Sequence, residues 1–324
     1  MADYLVTGAA GFIASRVAEM LLEEGHRVFG VDNMNDAYDV RIKEFRLQQL
    51  LDHDNFTFKK MDIADRDAVA GLAGEIGTPE AVFNLAARAG VRDSVEDPWT
   101  YVHTNYIGTL NLLEFCRHQS VSKFILSSSS SVYGAKAVPP AVEENDTSHP
   151  LQPYASSKKS AETICHAYHF LHEIDIIIFR YFSVYGPKGR PDMVLFRFIK
   201  WIVEGETLQL NGDGSQKRGF TYVDDIARGT ILGLKLAGYE IINLGGHEII
   251  SLNELIELIE EYVGKKAKIK KHPLPKADIM ASWADVKKAK EVLGWEPQVN
   301  LQEGVPRMIE WYLENREFAS QIKI

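Results

Sequence analysis

Two glycines three positions apart, Gly8 and Gly11, separate an apolar run at residues 4–7 from a helical pattern at residues 13–24. Glycine at a strand-to-helix turn lets backbone approach a phosphate closely, and the helix start offers it free N–H groups. Ala14, small and three residues further on, permits close helix–strand packing. Apolar runs recur at 27–31, 56–61, 81–85, 123–127 and 176–181, with helical patterns near 67–72, 101–116 and 156–170 between them. Alternation at this spacing predicts βαβ units and an α/β fold built on a doubly wound parallel sheet. Right-handed crossovers put helices on both of its faces.

Past residue 182 the rhythm loosens. Pro187 and Pro191 flank a Gly/Lys/Arg turn, a helix is predicted over 193–203, and short strands over 208–210 and 220–222. Ser251 and Glu254 have capping-box spacing and open a helix that ends near Gly264. Residues 265–271 alternate Lys with Ala and Ile, the pattern of a solvated edge strand. The division that follows is a Rossmann-type domain over 1–181 and a smaller C-terminal α/β substrate domain over 182–324, with part of 220–245 returning to the first.

The chain has 45% apolar and 25% charged residues, which excludes a disordered or fibrous protein. No run approaches the roughly 20 apolar residues of a membrane span, so no membrane partner is expected. The net charge of −9 disfavours nucleic acid as a partner. Cys116 and Cys165 are too few for a disulfide framework, and the ten histidines lack metal-ligand spacing. Buried thiols, a cytoplasmic location without a signal segment, and no metal are the corresponding expectations.

Asp32 ends the second predicted strand, 24 residues after Gly8. A carboxylate there accepts hydrogen bonds from an adenosine ribose and repels a 2′-phosphate, favouring NAD over NADP. Asp62 follows the third strand, where an adenine edge lies. Tyr154 and Lys158 stand at i and i+4 on one helix face. Upstream, the run from Ser127 to Ser131, followed by Val132, Tyr133 and Gly134, supplies hydroxyls at the carboxyl edge of the sheet, where open α/β sheets bind ligands. Each motif alone is common. Their order is not.

Together with Asn84-Leu-Ala-Ala87, Arg180-Tyr-Phe182, Tyr185-Gly-Pro187 and the stretch from Arg218 to Asp225, these motifs resemble the extended short-chain dehydrogenase/reductases acting on nucleotide sugars, over nearly the whole chain. The resemblance implies Tyr154 as acid/base, Lys158 as its activator and Ser129 as hydroxyl partner. It implies NAD against Gly8, Gly11, Phe12, Ile13, Asp32, Asn33, Asp62, Ile63, Leu85, Ala86, Ala87, Tyr154, Lys158 and Tyr181. It also implies a homodimer through the helices at 101–116 and 156–170. A phenol ordinarily ionises near pH 10, so a phenolate at neutral pH must be favoured by about 4 kcal/mol. A neighbouring ammonium and a positive nicotinamide both act that way.

Dehydratases of this family carry Thr-Asp-Glu before the Val-Tyr-Gly, and the decarboxylases a glutamate. Ser129, Ser130 and Ser131 stand here instead, which points to a 4-epimerase passing through a 4-keto sugar. The segments 35–43 and 186–193 resemble those of UDP-glucuronate 4-epimerases, and Ser183 stands where UDP-glucose epimerases and dehydratases usually have asparagine and glucuronate epimerases threonine. A uronate carboxylate needs hydroxyls or an arginine; Ser129, Ser130, Ser131, Ser183 and Arg190 are the candidates. For Arg190 the competing reading is a surface residue of its Pro/Gly turn. Arg218 matches the diphosphate arginine of the family, though followed by Gly rather than Asp, and Asp278 matches an acid on the uridine ribose. Arg88 and Arg92 stay open between phosphate binding and structural pairing. The alternatives to a UDP-glucuronate epimerase are a UDP-glucose/UDP-galactose 4-epimerase and a non-catalytic NAD-binding regulator, which typically loses the Tyr/Lys pair.

Overall fold

The computed structural model describes residues 1–135, 138–275 and 279–324. Among these residues thirteen strands run in chain order: β1 (Asp3–Thr7), β2 (Arg27–Asp32), β3 (Phe56–Lys60), β4 (Ala81–Asn84), β5 (Lys123–Ser129), β6 (Asp175–Tyr181), β7 (Ser183–Tyr185), β8 (Thr207–Asn211), β9 (Lys217–Tyr222), β10 (Tyr239–Leu244), β11 (Glu248–Ser251), β12 (Lys268–His272) and β13 (Ala281–Ser282). Seven form one sheet in the order β10-β6-β5-β4-β1-β2-β3, every neighbouring pair parallel. This is the doubly wound α/β sheet expected, with its strand order reversing between β1 and β4. A crevice opens at that point, outside the carboxyl ends of the strands.

Parallel strands buried on both faces read as continuous apolar runs. Leu5, Val82, Phe124 and Ile176 pack into the core on one side, while their chain neighbours Val6, Phe83, Ile125 and Ile177 pack on the other. All eight are fully buried. Chain past residue 182 builds a smaller sheet of β11, β9, β13 and β7, and a two-stranded ribbon of β12 with β8. A second core under them joins Phe196 and Ile199 with Leu255, Ile259 and Met308. β10 lies at the edge of the large sheet.

Two elements depart from the sequence reading. The helix predicted over 101–116 is interrupted: a turn at Pro98–Tyr101, then a π-helical turn at Val102–Ile107, then an α-helix at Gly108–Gln119. The wide turn carries Asn105, whose side chain bonds both backbone groups of Arg88 and the Ser157 hydroxyl. A helix at Arg41–Leu51 was not expected, because its buried face includes Lys43 and Arg46 rather than only apolar residues. The capping box at Ser251 and Glu254 is formed, and both cysteines are buried thiols.

Candidate active site

β1 passes into the Phe12–Glu23 helix through the glycine turn. Gly8 has φ of +71°, and a Cβ there would lie 2.8 Å from the Ala86 Cα; one on Gly11 would lie 2.8 Å from the Gly8 carbonyl oxygen. Only glycine fits either position. Gly11 offers the helix no side-chain cap, so the first-turn N–H groups remain available to an anion. This cradle fits the diphosphate of a dinucleotide.

Asp32, at the end of β2, is 7% exposed. Its Oδ1 accepts the Met34 N–H at 2.7 Å and lies 3.6 Å from the Lys43 ammonium. Asp62, past β3, accepts from Asn33 and from the Ala64 N–H. Asp32 and Asp62 are therefore both ordered by their own loops.

The catalytic candidates sit on β5 and the Pro153–His172 helix, which Pro153 starts at its first position. Tyr154 packs edge-on against Tyr101 and hydrogen-bonds with Ser129. Burial pushes the Tyr154 phenol above its usual value, while Ser129 and the charge of Arg190 pull it back. The phenolate is thus not preformed in the protein alone. Lys158 donates to the Ser127 carbonyl at 2.6 Å. Burial lowers the Lys158 ammonium to about 8, against the opposing charge of Glu162.

Every proposed site residue among the described ones lines one cavity of about 490 Å³: Gly8, Gly11, Phe12, Ile13, Asp32, Asn33, Asp62, Ile63, Leu85, Ala86, Ala87, Ser129, Ser130, Ser131, Tyr154, Lys158, Tyr181, Ser183, Arg190 and Arg218. Asp278 lies outside the described residues. The surface reading of Arg190 is corrected: its side chain is only 16% exposed, faces the cavity, and pairs with Asp192 at 2.6 Å. Arg218 donates to the Ile279 carbonyl at 2.6 Å from β9. Arg88 and Arg92 do not line the cavity. Among the described lining residues the carboxylates are Asp32 and Asp62 alone, and no described group of three or more His, Cys, Asp or Glu forms a metal site.

Sequence reasoning missed three features. Lys43 lines the cavity from the unexpected helix. Arg46, buried, bonds the Ala10 carbonyl of the glycine turn, the Lys188 carbonyl of the 186–190 loop and the Tyr38 hydroxyl, tying those segments together. Beneath the serine run, Glu162 accepts from Ser128 at 2.6 Å and pairs with Arg180. The i+4 spacing of Lys158 and Glu162 was the available signal for the last.

Residues 5–308 match the family described as GDP-mannose 4,6 dehydratase. The chain is 51% identical over 325 residues, all of both chains, to a UDP-glucuronate 4-epimerase of Thermodesulfobacterium geofontis. Its fold is similar to a crystal structure of UDP-glucuronic acid 4-epimerase from Bacillus cereus in complex with UDP-glucuronic acid and NAD (TM-score 0.89, 38% identity, 96% of this chain and 99% of that one). It is also similar to UDP-glucose 4-epimerase with UDP-glucose from Thermotoga maritima (TM-score 0.90, 34% identity, 97% and 99%).

Proposed function

The chain belongs to the NAD-dependent epimerase/dehydratase family, and we propose that it interconverts UDP-glucuronate and UDP-galacturonate by epimerisation at C4, with NAD held throughout the cycle. The observation that carries this reading is the composition of the cavity around Tyr154. Hydroxyls of Ser129, Ser130, Ser131 and Ser183 and the guanidinium of Arg190 line it, and its described acids, Asp32 and Asp62, belong to the adenosine end. A dehydratase needs a carboxyl group beside the sugar to expel a hydroxyl; an epimerase does not.

Bound NAD would supply removal of the C4 hydride and its return. Tyr154 takes the C4 hydroxyl proton and gives it back, and Ser129 holds the phenol in place for both transfers. Lys158, anchored on the Ser127 carbonyl, places a positive charge one helical turn from the phenol and favours its ionised form. The 4-keto sugar then turns over and meets the same groups with its other face. Arg190 and Ser183 hold the C6 carboxylate near the ring plane, away from overlap with the ketone, which suppresses loss of CO₂ from this β-keto acid. Arg218 holds the diphosphate, and Asp278 the uridine ribose.

The protein acts as a homodimer in the cytoplasm in this reading. Val102 on the π-helical turn and Phe170 and Leu171 on the Pro153–His172 helix are exposed apolar side chains on the two segments that would pair. The buried thiols of Cys116 and Cys165 suit a reducing compartment. Among the described residues no helix is long and apolar enough to cross a membrane.

The test is to incubate the purified protein separately with UDP-glucuronate and UDP-glucose and to resolve the products by chromatography. UDP-galacturonate is the expected product. Turnover of UDP-glucose alone would transfer the assignment to the neutral-sugar epimerase, and no turnover of either would leave the regulator.

A further inference from the structure

The sequence reading takes Asp32 as an acid that accepts from an adenosine ribose and repels a 2′-phosphate. The structure pairs it with a buried cation. The Lys43 and Asp32 side chains are 6% and 7% exposed, their charges are 3.6 Å apart, and both line the cavity. Lys43 donates to the Asn35 side chain at 3.1 Å and stands 5.3 Å from the Tyr38 ring centroid, so its position is fixed by the 33–40 loop. An ammonium has three donors, and one is committed to Asn35. Asp32 Oδ1 is engaged by the Met34 N–H; among the described residues no donor reaches Oδ2. The cavity thus presents an unpartnered carboxylate oxygen and an under-used ammonium side by side.

We propose that Asp32 and Lys43 form a two-charge selector for the 2′ position of the adenosine ribose, an inference that rests on the NAD reading above. Asp32 Oδ2 accepts from a 2′-hydroxyl. Lys43 is a latent 2′-phosphate ligand, masked in this chain by the carboxylate beside it. A lone acid would leave a cofactor site indifferent to 2′-phosphate once that acid is neutralised. A masked cation makes the neutralised site prefer the phosphate, since a charge-assisted contact is worth about tenfold or more in binding.

The experiment uses wild type, Asp32→Asn, Lys43→Met and the double variant. Each is equilibrated with equimolar NAD and NADP, gel-filtered and denatured, and the released nucleotides are quantified; thermal melting confirms that each is folded. Wild type is expected to hold NAD. Asp32→Asn is expected to raise the NADP-to-NAD ratio by about tenfold or more, and adding Lys43→Met to it should abolish that gain. The double variant removes both buried charges, so it remains informative if Lys43→Met alone fails to fold. An unchanged ratio in Asp32→Asn, or a gain that persists without Lys43, overturns the selector. Wild type that retains neither nucleotide overturns the NAD reading instead, so the two failures are distinct.

Discussion

Glu162 and Arg180 form a two-pronged ion pair beneath the serine run of β5, Nε to Oε1 and Nη2 to Oε2, both at 2.9 Å. Both side chains are almost wholly buried, and Glu162 Oε1 also accepts from Ser128, between the serines that hold Lys158 and Tyr154. Arg180 continues the network to the Tyr133 hydroxyl, which donates to Asn243. The helix bearing Tyr154 and Lys158 is therefore fastened to β5, β6 and β10 through one carboxylate.

Replacing Glu162 with Gln leaves Arg180 as an uncompensated buried charge, which costs roughly 3–5 kcal/mol. Denaturant unfolding should show that loss, and Glu162→Leu combined with Arg180→Met should recover most of it. A cost under about 1 kcal/mol in the single variant would show that the pair does not fasten the helix.

Tyr154→Phe removes only the phenolic oxygen. Turnover should fall at least a hundredfold, the usual scale for losing a positioned proton-transfer group, while NAD content and melting temperature stay near wild type. A variant keeping a tenth of the wild-type rate removes Tyr154 from the acid/base role.

Lys158 titrates near 8 because burial disfavours its charge. The ammonium is the form that favours the phenolate, and it is lost as pH rises through that value. kcat should accordingly decline above about pH 8, and Lys158→Arg, whose side chain stays charged, should retain what activity it has to higher pH. The stability contribution has the opposite sense. Between about 8 and the unfolded value near 10.5 the unfolded chain binds more protons at this residue, so the penalty for burying it fades as pH rises. A kcat profile flat to pH 10 would show that the charge of Lys158 is not needed.

The large sheet was legible because its inner strands are buried on both faces and read as apolar runs, such as 176–179 on β6. The glycine turn was legible because nothing else fits at Gly8. What escaped was polar burial. The Arg41–Leu51 helix hides its core face behind Lys43, which pairs with Asp32 of β2, and Arg46, whose partners, the carbonyls of Ala10 and Lys188, come from distant chain. The π-helical turn escaped because the demand for it arises at Arg88 and Ser157, outside the helix itself. Arg190 looked exposed because a Pro/Gly turn usually is; the ring of Tyr38, 5.2 Å from its guanidinium, and Asp192 enclose it.

That enclosure sharpens the prediction separating a uronate from a neutral sugar. Arg190 is held on Asp192 through Nε at 3.1 Å and Nη2 at 2.6 Å, with the cavity in front of it. If its remaining N–H donors engage the C6 carboxylate, Arg190→Ala loses a charge-assisted contact of roughly 1.5–3 kcal/mol, about ten- to more than a hundredfold in kcat/KM for UDP-glucuronate. UDP-glucose, neutral at C6, should lose far less. Freed to rotate toward overlap with the C4 ketone, the carboxylate should also leave as CO₂ in some turnovers, and a UDP-pentose should appear among the products. Ser183→Asn should tilt the ratio toward UDP-glucose, since an amide hydrogen-bonds a hydroxymethyl group. The measurement is kcat/KM for both substrates in both variants, with product analysis by chromatography. Equal losses on the charged and the neutral substrate would mean that Arg190 and Ser183 serve the 186–193 loop rather than the carboxylate, and UDP-glucose would become the leading substrate.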